Sequence, residues 1–380
     1  MEIDISKKYV LQATYYNYNY GSVLQCYATQ VYFSRKGIKC YLVKESNTGL
    51  KKIYDALNRR IEYFALSIMF PSVKSERKKQ LKNSSLSKMR ISENSKRKID
   101  VFLEKEIYSI KTTHFILRKM AKSKNCEFCI AGSDQIWNAS RVFLDKIYFL
   151  TFSPQCKRYA FAPSFGGNQI ADFNINRYKK FIQKFNRLSA REESGVKLIE
   201  KLTKRKAELL MDPVFLLNVN EWDEFSKRSN INISQKYVFV FFLDNPSALA
   251  KKQIKSLILK GYKIYSIAYS YEGMDDDGCL LLEGGPEEFV DLIKNASIIL
   301  TDSFHVTAFS VLFHKDFYVF ERTYTGMNQS SRIIDLLRNM NLLYRYNFEG
   351  IMGRELTIIE KQRIELLLEE NLNKVNLFFD

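Results

Sequence analysis

Four short segments hold polar residues whose types and spacing fit chemistry on a small charged molecule. In Thr301-Asp302-Ser303-Phe304-His305, one of only three histidines stands where an apolar run turns into a helical pattern. An imidazole titrates near neutrality, so His305 beside Asp302 and Ser303 suits a general acid or base. In Gly132-Ser133-Asp134-Gln135-Ile136-Trp137-Asn138, the glycine admits close backbone approach, Asp134 offers a carboxylate and Trp137 a flat face for stacking on a sugar. Arg191, in Ser189-Ala190-Arg191-Glu192-Glu193, is placed to grip carboxylate or phosphate in bidentate fashion. The stretch 15–22, rich in Tyr and Asn, precedes a helix whose first N–H groups can bind an anion. Arg332 opens another helix and is a second candidate anion clamp. Each segment also has a plainer reading: a structural histidine, a turn, an ion pair of Arg191 with Glu192 or Glu193, a loop capped by Ser22, and an exposed surface arginine.

Other chemistries lack their residues. No H-E-x-x-H, G-x-S-x-G or Walker loop occurs, and the single glycine of 15–22 does not make a dinucleotide fingerprint. Cys126 and Cys129 form one C-x-x-C without a second pair, so no four-ligand zinc site is expected. They lie in an apolar run read as a strand, whose alternation would send the two thiols to opposite faces, both buried.

These residues need a scaffold, and the periodicity predicts one. Apolar runs of four to eight residues alternate with helical patterns, the mark of β-α-β units on a mainly parallel sheet. Strands are expected over 9–14, 39–43, 128–131, 158–162, 187–190 and 208–211, and again over 237–243, 263–268, 297–301 and 316–320. With 380 residues the chain exceeds one ordinary core. The reading is an α/β protein of two Rossmann-like domains facing each other across a cleft. Domain 1 covers 1–212, with a basic helical insertion over about 50–124. Domain 2 covers 213–354, and a helix in 355–380 packs back on the first. Ligands then bind beyond the carboxyl ends of the strands.

Charge adds a partner class. Of a formal net charge of +17, the segment 71–124 supplies +11, with 16 Lys and Arg against 5 Asp and Glu. Such a surface suits nucleic acid, an acidic membrane leaflet or a phosphorylated substrate, or is simply a solvated helical face. Aromatic residues are sparse over 74–98, which argues against nucleic acid. The first eight residues are mixed and charged, and no apolar run has signal-peptide or membrane-spanning length, so a cytoplasmic protein is expected.

Taken together, Asn19-Tyr20-Gly21-Ser22-Val23-Leu24-Gln25, the 132–138 segment, Arg158-Tyr159-Ala160-Phe161-Ala162-Pro163-Ser164-Phe165-Gly166, Ser189-Ala190-Arg191-Glu192, Asp212-Pro213-Val214-Phe215 and 301–305 resemble the polysaccharide pyruvyl transferase family in type and order. The resemblance spans about residues 9 to 340. It implies a fold like that of the GT-B glycosyltransferases and transfer of the enolpyruvyl group of phosphoenolpyruvate onto a sugar of a capsular or exopolysaccharide unit. A pyruvate ketal forms, without cofactor or metal.

Arg191 and His305 match family positions for holding the donor and for acting beside the reacting carbon. Many members carry arginine two residues before that histidine, where this chain has Ser303, so Arg332 or Lys315 is expected to join the donor site. Asp134 would orient or deprotonate the acceptor, with Asn17, Asn19, Tyr20, Gln135, Trp137 and Asn138 around it. Such acceptors ride on lipid diphosphates at the inner face of the plasma membrane. The basic segment, with 61–70 as its apolar companion, is therefore expected to make peripheral contact with anionic lipid. The competing reading is a GT-B glycosyltransferase with a nucleotide-sugar donor, for which Glu283 or Glu287 would serve the ribose.

Overall fold

The strands of the first half grow from buried aliphatic and aromatic runs. They are β1 (Tyr9–Ala13), β2 (Lys39–Glu45), β3 (Ser109–Thr112), β4 (Cys126–Ala131), β5 (Arg158–Ala160), β6 (Arg187–Ala190) and β7 (Glu208–Leu209). All are parallel, in the order β3-β2-β1-β4-β5-β6-β7. Every residue of β1 is buried, as a central strand covered on both faces requires. The helices are α1 (Tyr20–Arg35), α2 (Leu50–Met69), α3 (Ser72–Lys88), α4 (Glu93–Glu106), α5 (His114–Lys122), α6 (Ile175–Ile182) and α7 (Glu193–Thr203).

The plan then restarts. β8 (Tyr237–Phe241), β9 (Lys263–Ile267), β10 (Cys279–Leu282), β11 (Ile298–Thr301) and β12 (Phe317–Val319) form a second parallel sheet in the order β10-β9-β8-β11-β12. Its helices are α8 (Val219–Ser226), α9 (Ala248–Leu259), α10 (Pro286–Asn295), α11 (Phe304–Leu312), α12 (Ser331–Asn339) and α13 (Ile358–Phe379). Local signals set several starts. Thr113 accepts the Ile116 N–H ahead of α5, Ser247 caps α9, and Asn218 and Glu221 form a capping box on α8.

The structure is a computed structural model that describes residues 5–16, 18–46, 49–88, 91–271, 273–275, 278–322 and 331–380, with backbone only for 50, 51 and 82–88. The chain clusters into two units. The first is Met1–Tyr16, Gln25–Leu86 and Glu106–Pro213, and the second is Asn17–Leu24, Ser87–Lys105 and Val214–Asp380. Each sheet runs outward from a central strand and then returns to that strand's other side, leaving a topological switch point. In the first unit it lies between β1 and β4, and in the second between β8 and β11.

Several expectations need revision. The supposed insertion contains β3, an edge strand whose only buried residue is Ile110, and α5, the crossover that leads to β4. Within that insertion, α4 clusters with the second unit: Phe102 meets Phe225 edge to face at 5.8 Å and Lys98 pairs with Glu288 at 2.9 Å. Residues 17–24 and 355–380 also belong to the second unit. The two thiols of the C-x-x-C do not diverge. Tyr9 and Leu11 of β1 face Cys126 and Cys129 of β4, so three steps on one strand meet two on the other, and this bulge brings the sulfurs to 4.0 Å inside the core.

Candidate functional site

The second unit's switch point is built on the turn from β11 into α11. Thr301 Oγ1 donates to the Phe241 carbonyl at 2.7 Å and accepts the Ser303 N–H at 2.9 Å. Asp302 is buried and joins the two central strands' loops, its carboxylate accepting the N–H groups of Leu243 at 2.7 Å and Asp244 at 3.1 Å. Burial raises its pKa, against the pull of Arg322 and those two N–H groups.

Arg322, just beyond β12, holds the same turn. Its Nε is 3.3 Å from Asp302 Oδ2, and Nε and Nη2 donate to the Asp302 carbonyl at 3.3 and 3.2 Å. Its side chain is still 19% exposed. His305 lies in the first turn of α11, buried with its ring against Gly21. A Cβ at position 21 would stand 1.9 Å from His305 Nδ1, so the imidazole occupies the space that any other residue would need. Arg332, in the first turn of α12, places its guanidinium 5.7 Å from the Phe304 ring centre.

The first unit's switch point is closed by a polar network. Gly132 has φ +132, and a Cβ there would meet the Phe161 carbonyl oxygen at 1.9 Å. Beside it, Ser133 donates its N–H to Gln25 Oε1 at 3.2 Å and its hydroxyl to the Ala162 carbonyl at 2.8 Å, while its own carbonyl accepts from Thr14 Oγ1 at 2.8 Å. Arg191 Nη1 pairs with Asp212 Oδ2 at 2.5 Å, Nη2 with Asp134 Oδ1 at 3.4 Å, and Nε lies 3.9 Å from Glu192 Oε2. Burial opposes the charge of Arg191, and the three carboxylates more than offset it, raising its pKa. Of the four side chains only that of Asp134 reaches solvent, at 13%; the other three are at 0%.

Arg191 is thus enclosed by carboxylates of its own unit instead of standing at an open mouth, which corrects the clamp expected there. Trp137 is likewise a core residue. Its ring stacks on Phe149 at 5.9 Å, meets Phe165 and Phe185 edge to face, and donates Nε1–H to the Tyr148 carbonyl at 3.0 Å, so no face remains for a sugar. Tyr20 also lies inside, stacked on Phe289 at 4.6 Å with its hydroxyl donating to the Gly284 carbonyl at 2.6 Å. Asn19 takes the capping role expected of Ser22, its Oδ1 accepting the Ser22 N–H at 3.2 Å.

Gln135 donates its N–H to Asp134 Oδ1 at 2.8 Å, and Asn138 Oδ1 accepts from the Ser140 N–H and hydroxyl at 3.2 and 2.8 Å; both side chains are half-buried. Asn17 lies outside the described residues. Ser303 is buried at the start of α11, its carbonyl accepting the Thr307 N–H at 3.0 Å and hydroxyl at 2.8 Å. Lys315 is the clearest misplacement among the donor residues. It follows the far end of nine-residue α11, about 13 Å from the His305 turn along the axis, at the sheet's amino edge beside Asp316 and Glu355. Glu283, offered for a ribose, accepts from Asn94 Nδ2 at 2.6 Å.

Two features escaped the sequence reading. One is Arg322. The other is a cavity of about 470 Å³ at the carboxyl ends of β2 and β3, lined by Glu45, Asp55, Glu62, His114, Phe143 and Asp145 among others. His114 Nδ1 lies 3.5 Å from Glu45 Oε2, and burial is the main cause that raises the pKa of Asp145. A histidine directly after the helix-capping Thr113 was the available signal. Among the described residues no cluster of three or more metal-ligating side chains occurs, and no helix is long and apolar enough to cross a membrane.

The sequence matches the family described as polysaccharide pyruvyl transferase over residues 19–324. No curated protein matches it. Similar solved structures include the UDP-GlcNAc 2-epimerase of Neisseria meningitidis bound to UDP-GlcNAc, at 10% identity and TM-score 0.44, covering 98% of this chain and 93% of that one. The ADP-heptose lipopolysaccharide heptosyltransferase II of Escherichia coli aligns at 11% identity and TM-score 0.38, over 97% and 99%. A glycosyltransferase of Rickettsia africae aligns at 10% and 0.43, over 98% and 96%.

Proposed function

Given that the chain belongs to the polysaccharide pyruvyl transferase family, we propose that it transfers the enolpyruvyl group of phosphoenolpyruvate to two hydroxyls of a lipid-diphosphate-linked saccharide, forming a pyruvate ketal and releasing phosphate. The observation that carries this reading is that the turn from β11 into α11 holds Arg322 on the Asp302 carbonyl, Arg332 over Phe304 and His305 in the helix's first turn. The donor has two anionic groups flanking one reacting carbon, and this grouping suits it.

A proton delivered to the methylene carbon makes the central carbon electrophilic. One acceptor hydroxyl adds, the C–O bond to phosphate breaks, and the second hydroxyl closes the ketal. Of the two hydroxyl protons, the methyl group keeps one and phosphate leaves with the other. His305 moves these protons. Arg322 and Arg332 hold phosphate and carboxylate and stabilise charge on the leaving group, with the buried Ser303 and the first N–H groups of α11 alongside. On the acceptor side Asp134 is the carboxylate, and Arg191 acts as a positioning residue that fixes it. The donor carries its own leaving group, so the scheme needs no cofactor.

Thermal stabilisation tests the donor. Phosphoenolpyruvate at a hundredfold excess over its dissociation constant should add about 2.7 kcal/mol of stability, whereas a nucleoside diphosphate should add none. The reverse pattern would favour a nucleotide-sugar glycosyltransferase. His305→Ala should keep that stabilisation yet lose about 10²–10⁴ in phosphate release with a saccharide acceptor; unchanged turnover would remove His305 from the chemistry.

A further inference from the structure

The strongest charge lies in 71–124, but the strongest exposed apolar surface lies before it. Ile53, Tyr54, Leu57, Ile61, Phe64 and Ile68 of α2 are each more than half exposed, from 54% to 69%. At 3.6 residues per turn they fall within an arc of about 100°, a continuous stripe about 22 Å long. This is not the face that holds α2 to the protein. Tyr63, Leu66 and Phe70 do that from elsewhere on the helix, packing with Val73, Val142 and Phe173. The helix therefore has two apolar stripes, one engaged by its own fold and one turned outward. Apolar patches of this kind mark interaction surfaces.

Charge identifies what covers the outer stripe. Residues 50–88 contain ten Lys and Arg against three Asp and Glu, a net +7. Lys52 and Arg60 on α2 and Lys74, Lys78 and Lys79 on α3 are exposed, while Arg59 turns to the other side of α2, lining a pocket with Asp55, Glu62 and Asp145. Neither acidic residue of α2 lies in the stripe, and Glu62 is paired with Arg177. A second copy of this chain would bring the same positive charge against itself. An apolar stripe bordered by Arg60 and followed by a lysine-rich helix instead matches a helix lying in the plane of an anionic bilayer, with its apolar side among the acyl chains and the basic residues at the headgroups.

We infer that α2 docks the protein on anionic membrane through the Ile53-to-Ile68 stripe, with α3 supplying the electrostatic attraction. The inference stands apart from the pyruvyl-transfer reading, because docking is measured without donor or acceptor. The experiment is sedimentation of the full chain with phosphatidylcholine vesicles, with and without phosphatidylglycerol, at low and high salt. The wild-type protein should bind the anionic vesicles at low salt and release as salt rises. Leu57→Ser/Ile61→Ser/Phe64→Ser, at exposed positions that leave the circular dichroism spectrum unchanged, should weaken binding about 100-fold. Lys74→Glu/Lys78→Glu/Lys79→Glu should weaken it at least about 10-fold. The inference is overturned if the serine variant binds as tightly as wild type, if wild type ignores anionic vesicles, or if wild type is a dimer that the serine variant turns into a monomer.

Discussion

The two switch points share a plan and differ in how their arginines are used. In the first unit Arg191, directly after β6, has no exposed side-chain surface and is ringed by Asp212, Asp134 and Glu192. In the second, Arg322 holds Asp302 and keeps part of its surface in solvent beside the turn into α11. A guanidinium at a strand end is thus not one kind of feature. Surrounded by carboxylates with no exposed surface it is scaffold, and with part of its surface in solvent it can still meet a ligand. The same division applies to carboxylates: Asp302 bridges two loops, whereas Asp134 is the outermost acid of its cluster.

The sharpest way to break this contrast is Arg191→Ala. Removing the cation leaves three carboxylates buried together, and losing one partner from such a cluster costs about 3–5 kcal/mol. Denaturant unfolding should report that loss, with Arg191→Lys intermediate. If the alanine variant melted normally but no longer bound phosphoenolpyruvate, Arg191 would be a donor ligand and the contrast would be void.

Arg322→Ala tests the other side with a smaller expected effect: phosphoenolpyruvate KM should rise about 10–100-fold, as for one lost charge-assisted contact. Arg322 also steadies Asp302, so a second substitution separates the roles. Ser303 adjoins the carbonyl that Arg322 bonds. A new guanidinium from Ser303→Arg in the Arg322→Ala background should therefore recover donor binding if an anion is what Arg322 serves. Continued failure of the double variant, with a melting point as low as that of Arg322→Ala, would make Arg322 scaffold as well.

How much of this was legible follows from how each residue is specified. The strands β1 and β8 and the segments at 132–134 and 301–305 could be read, because an unbroken buried run or a glycine under steric demand leaves few alternatives. β3 was not, since an edge strand with one buried residue carries no period. Trp137 was misjudged because an indole in a turn region looks alike whether its face is open or covered; only the packing of Phe149, Phe165 and Phe185, 12 to 48 residues away in sequence, decides. Lys315 is ten residues from His305 in sequence, a separation that one helix converts into opposite edges of the sheet. Arg322 follows a three-residue strand and has no pattern around it, so it is found by its hydrogen bonds to Asp302 and not from the sequence.

That opposite edge supplies the smallest test. His314 stands after the last turn of α11, where an imidazolium would favour the helix dipole, yet burial lowers its pKa from the ordinary 6.5, against Glu365, with Lys361 acting in the same direction as burial. A histidine whose folded pKa is depressed resists protonation in the native state. Its contribution to stability is complete above pH 6.5 and is lost as pH falls through the folded value. The group is half-buried, so the effect should amount to no more than a few degrees of melting temperature. His314→Gln should make the decline of Tm below pH 6.5 shallower and leave phosphoenolpyruvate binding unchanged. A steeper decline in the variant would mean that the imidazolium is the stabilising form and that the helix dipole outweighs burial. A change in donor binding would mean that the amino edge is not separate from the turn that Arg322 and Asp302 hold.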